Sequence, residues 1–111
     1  MAKYECKYNG SLQSAVKLVE DGILNTSWSA TLEEKSDIRL NGTAVSVRAF
    51  ERYSWLGGNR VSLNVTFVKA GDSPVYIIAT TTGGSQALFT KINTFGEDAF
   101  LERLKEIFEN N

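Results

Sequence analysis

Histidine is absent from this 111-residue chain, and cysteine and proline each occur once, as Cys6 and Pro74. Without histidine, the commonest acid/base group near neutral pH and the commonest zinc ligand are both missing. A single cysteine forms no intrachain disulfide and no thiolate metal cluster. An excess of charge of either sign is missing too: twelve Lys and Arg against thirteen Asp and Glu leave a net charge of -1. A general nucleic-acid binder needs a concentrated positive field for its phosphate contacts, so only a local basic patch survives this balance. No apolar stretch nears the roughly 20 residues of a membrane span. The opening MAKYECKYNG alternates and has no apolar run of the secretory type. The expectation is a cytoplasmic protein that needs no cofactor.

What is present suits one globular domain over residues 1–111. Hydrophobic residues at 42% and charged residues at 23% decide against a disordered chain. Tyr4, Cys6 and Tyr8 alternate with Lys3, Glu5 and Lys7, which predicts a half-buried strand ended by Asn9-Gly10. Ser11 is a good N-cap for the segment after it. There the period changes, with Leu12, Ala15, Val16 and Val19 on one helical stripe and Gln13, Lys17 and Glu20 away from it. Gly22 suits a left-handed C-cap.

Period-2 segments follow. Trp28, Ala30 and Leu32 predict a short strand, EEKSD a turn, and Ile38 with Leu40 a second short strand ended by Asn41-Gly42. The long strand from Thr43 to Trp55 carries Val45, Val47, Ala49, Tyr53 and Trp55 on one face. Val61, Leu63, Val65 and Phe67 form the matching face of the next strand, KAGDSP turns the chain, and VYIIATTT and SQALFTKIN continue it. Thr94 and Glu97 fit a capping box for a last helix whose stripe runs through Phe100, Leu101, Leu104, Ile107 and Phe108. The order is strand, helix, an antiparallel meander of five or six strands, helix. It predicts an α+β fold with both helices packed on one sheet face.

One carboxylate complicates the long hairpin. A three-residue loop over Gly57-Gly58-Asn59 pairs Trp55 with Val61, Tyr53 with Leu63 and Ala49 with Phe67, keeping Arg48 and Arg52 off the apolar face. It also leaves Glu51 opposite Val65, among residues to be buried. Glu51, Tyr53, Trp55 and Trp28 are then candidates to line a ligand pocket between sheet and helix. The bland alternative is that twist carries Glu51 out into water or toward a cation such as Lys91. The opposite face, with Arg48, Phe50 and Arg52, reads as a solvated cationic surface, and Arg48, Arg52 and Arg60 are its candidates for a partner or an anion. TTTGGSQ is no phosphate loop, since it lacks the lysine and the following helix. Serine chemistry lacks its histidine base, and Glu51 alone is no carboxylate pair, so enzyme activity is disfavoured.

The stretches FERYSWLGGNRVSLN and GGSQALFTKINTFGEDAFL resemble segments of a family of short, functionally uncharacterised bacterial proteins, mostly of Firmicutes. The resemblance runs from EDGILN to the final helix and implies a bacterial, cytoplasmic setting without transferring any functional residue. The order of elements is also similar to helix-grip and TATA-binding-protein-like domains, many of which hold apolar ligands between sheet and C-terminal helix. Three functions are weighed on these grounds. The first is a small non-catalytic domain binding an apolar or amphipathic small molecule. The second is an oligomerising or protein-interaction module, in which a homodimer buries part of Val75 to Ala79 through the sheet face away from the helices. The third and weakest is an anion or nucleic-acid binder.

Overall fold

The computed structural model describes residues 2–25, 29–54, 59–83 and 101–109. The alternating start of the chain forms β1 (Ala2–Tyr8). Ser11 caps α1 (Leu12–Leu24), its Oγ accepting from the Ser14 N–H at 3.0 Å. That bond satisfies one of the orphan donors of the first turn. Ala15, Val16, Val19 and Ile23 form the buried stripe. The helix does not stop at Gly22. It runs to Leu24 and ends on Asn25, whose N–H donates to the Asp21 carbonyl at 2.9 Å. Gly22 serves a close approach instead, because a methyl group there would collide with Ile107 of a second helix, α2 (residues 101–109).

The strands β2 (Thr31–Leu40), β3 (Thr43–Ser54), β4 (Asn59–Ala70) and β5 (Val75–Gly83) form an antiparallel meander. β1 adds to it by pairing antiparallel with β5, so the five-stranded sheet has the order β1-β5-β4-β3-β2. Asn41 and Gly42 close the β2–β3 hairpin with φ of 50° and 81°, the two positive values of a type I′ turn. Residues of both helices share one core with Phe50, Leu63, Val65, Phe67 and Ile77, so both lie on the same sheet face. This is the expected α+β class. The strand expected over SQALFTKIN, the capping box at Thr94 and Glu97, and Phe100 lie outside the described residues.

Two further expectations change. β2 is a single strand through EEKSD, with a bulge between Leu32 and Glu34, and it is exposed at every residue from Glu33 to Leu40. An edge strand with neither face buried has no reason to alternate, and its charges discourage further pairing. The register of the β3–β4 hairpin differs as well. Ser54 pairs with Asn59, Arg52 with Val61 and Arg48 with Val65, while Glu51 faces Ser62 rather than Val65. Moving the register by three residues, an odd number, exchanges the two faces of β3. Ala44, Ser46, Arg48 and Phe50 therefore point toward the helices, and Phe50 is fully buried. Val45, Val47, Ala49, Glu51 and Tyr53 point away from them.

Candidate functional site

The inner face of β3 carries an arginine where a core residue would be expected. Arg48 is only 7% exposed, and a buried guanidinium is tolerated only with partners. Three elements supply them. Glu20 of α1 accepts from Nε at 2.7 Å, and Asp37 of β2 lies 3.0 Å from Nη1 and accepts from Nη2 at 3.3 Å. The carbonyls of Val47 and Ser36 accept from Nη1 at 2.9 and 3.3 Å. Ser46 donates to the Asp37 carboxylate at 2.7 Å.

Register explains why these groups meet. Asp37 is the cross-strand partner of Ser46, and Arg48 stands two residues along the same face of β3. Glu20 follows Val16 by one helical turn, which sets it beside the buried stripe of α1. The hydrogen bond from Ser46, then that from Arg48, holds the Asp37 carboxyl below the usual aspartate range. Burial works against the charge on Arg48, but its bonds to Glu20 and Asp37 outweigh that and keep its pKa above the ordinary value.

This cluster floors an open groove of about 540 Å³ between α1 and the β2–β3 hairpin. Leu12, Val16 and Ala44 supply apolar wall, and Lys17 and Arg39 also line it. Lys17 is already paired with Asp21 at 3.0 Å. At the floor, two carboxylates surround one guanidinium, which leaves a net charge of -1 and acceptor lone pairs to spare. Each of the three Arg48 nitrogens already donates to the carboxylates and carbonyls just described. Such a floor suits a cation or a hydrogen-bond donor, while Arg39 brings a positive charge to the same lining.

The residues singled out from the sequence fall elsewhere. Glu51 and Tyr53 lie on the outer face, so they line no space between sheet and helix. Glu51 forms an ion pair with Arg60 at 2.8 Å. Trp55, Trp28 and Lys91 lie outside the described residues. The cationic surface of Arg48 and Arg52 does not form either, since both point to the helix side. Arg48 is consumed by its ion pairs, and burial lowers the pKa of the half-buried Arg52. Arg60 is exposed and spends its charge on Glu51.

Glu20, Asp37 and Ser46 were missed by sequence reasoning. A signal existed in Glu20, four residues after Val16 on an otherwise apolar stripe edge. An acid there asks for a buried base opposite.

The fold and the groove together define a small α+β domain with an open antiparallel sheet and a polar cluster locking its first helix to one hairpin. Over residues 1–111 the chain matches the model of a family of unknown function, DUF6054, and it belongs to that family. No curated protein and no solved structure matches it. Among the described residues, no helix is long and apolar enough to cross a membrane.

Proposed function

We propose that the protein is a small binding domain whose ligand occupies the groove between α1 and the β2–β3 hairpin. The supporting observation is the buried Arg48 cluster, whose carboxylates face an open, partly apolar cleft. The ligand class is an amphipathic small molecule with a cationic head and a short apolar tail. The head meets Glu20 and Asp37, and the tail lies along Leu12, Val16 and Ala44. This moves the site from the C-terminal helix to the first one, since Leu104 and Ile107 of α2 are themselves buried in the core.

Octylamine and octanoate, which share a tail length and differ in head charge, test the reading by amide chemical-shift titration. Octylamine should saturate with shifts confined to α1 and the hairpin, at least about tenfold tighter than octanoate, a difference of about 1.4 kcal/mol. Asp37→Asn should narrow that preference. Absence of saturation by either probe, or an equal affinity for octanoate, counts against the reading.

A second reading, a module that self-associates through the outer sheet face, is favoured by a different observation. Ile38, Leu40, Tyr76 and Ile78 are 61%, 68%, 44% and 40% exposed there.

A further inference from the structure

The outer face is not a scatter of apolar residues. Cross-strand pairing sets Tyr76, Val68, Val45 and Ile38 in one continuous row across β5, β4, β3 and β2. Ile78 and Val47 belong to the adjacent row, with Thr66 between them. The whole outer face, five strands about 4.8 Å apart and four rows about 6.8 Å apart, measures roughly 650 Å², and these two rows are its apolar part. The whole face is near the roughly 800 Å² per partner of a standard stable interface. The exposed apolar residues of these rows, Ile38, Tyr76 and Ile78, lie in a strip between the charged margins, and an exposed strip of this kind marks an interaction site.

The charges at the two margins say what fits it. The β1 margin carries Lys3, Glu5 and Lys7, with Lys3 paired to Glu5 at 3.3 Å and the Lys7 ammonium 5.3 Å from the Tyr76 ring centre. It is net positive. The β2 margin carries Glu33 and Glu34, of which Glu34 pairs across to Ala49 and so lies on the outer face. A copy of the same sheet can be laid on this face, strands aligned, about either of two axes. An axis across the strands sets each β1 margin on its twin, lysines against lysines. An axis along β4 sets the β1 margin of one copy on the β2 margin of the other. Lys3 then meets Glu34, and Tyr76 stacks over Val45.

We infer that the partner of this face is a second copy of the chain, stacked sheet to sheet about an axis parallel to β4. The inference rests on the self-association reading above and adds the orientation to it.

Cross-linking in a Cys6→Ala background tests both. The Lys3 and Glu34 positions lie at opposite edges of one sheet, roughly 19 Å apart, beyond a short bismaleimide. Chains carrying Lys3→Cys are mixed with chains carrying Glu34→Cys, allowed to exchange, and treated with the reagent. A covalent dimer should form in the mixture and not in either chain alone. Ile38→Glu, at an exposed position that a folded monomer tolerates, should shift sedimentation from dimer to monomer and abolish the cross-link. A wild-type monomer up to hundreds of micromolar overturns reading and inference together, as does a dimer indifferent to Ile38→Glu. A dimer broken by Ile38→Glu that gives no mixed cross-link leaves self-association standing and overturns the orientation.

Discussion

Arg48 shows how one side chain can invert a strand. On β3 the residues at odd positions, Val45, Val47, Ala49 and Tyr53, are collectively the more apolar set, yet they face away from the helices. The inner set holds two arginines and a serine. Arg48 is tolerable there because Glu20 and Asp37 neutralise it from two other elements. A strand read alone cannot reveal partners 28 and 11 residues away, and that is why its face was illegible. The depressed pKa of Asp37 gives a test with a defined sign. Its ionised form is favoured by folding, so its contribution is present above the unfolded value of about 3.9 and is lost as pH falls through the lower folded value. Asp37→Asn should therefore be destabilising at pH 7, and its difference from wild type should shrink toward zero below about pH 4. Urea titrations at pH 7, 5 and 3 measure this. A difference independent of pH would mean that the carboxylate is not held by Ser46 and Arg48.

At the scale of elements, most of what was legible was local. The Ser11 cap, the α1 stripe, the Asn41-Gly42 turn and the apolar face of β4 need only near neighbours in sequence, and each stands as expected. Gly22 looked like one more local signal and was not, because its role depends on a helix some eighty residues further along. A Gly→Ala change inside a helix ordinarily stabilises by up to about 1 kcal/mol. At position 22 the new methyl meets the Ile107 side chain, which is buried between the helices and the sheet. Overpacking of this kind costs about 1–3 kcal/mol. Gly22→Ala should therefore destabilise, and adding Ile107→Val, which removes Cδ1, the nearer of the two colliding atoms, should recover part of the loss, at least about 0.5 kcal/mol relative to additivity. Chemical denaturation of the two single variants and the double closes the cycle. A stabilising Gly22→Ala would show that α1 and α2 have room to spare.

For the whole molecule, the sheet is graded from one side to the other. β4 is central, paired with β3 and β5, and its inner residues Val61, Leu63, Val65 and Phe67 are fully inaccessible. VYIIA alone reads as a vulnerable edge, but β1 covers that edge, and of its residues Tyr76 and Ile78 remain open on the outer face. Among the described residues β2 has a partner on one side only, and it is exposed on both faces from Glu33 onward. Local opening follows burial and backbone pairing, so amide hydrogen exchange should be slowest in β4 and fastest in β2. Within β2, the N–H groups directed away from β3 face none of the described strands and should exchange at rates close to those of an open chain. Stacking of two copies through the outer face leaves that edge free and preserves the gradient, whereas joining of two β2 edges into one longer sheet would protect it. Exchange measured above and below the association midpoint separates the cases: outer-face stacking slows Tyr76 and Val45 while the β2 edge stays fast. Protection of the β2 edge to the level of β4 would show that its run of charges fails to prevent pairing and that the sheet grows sideways.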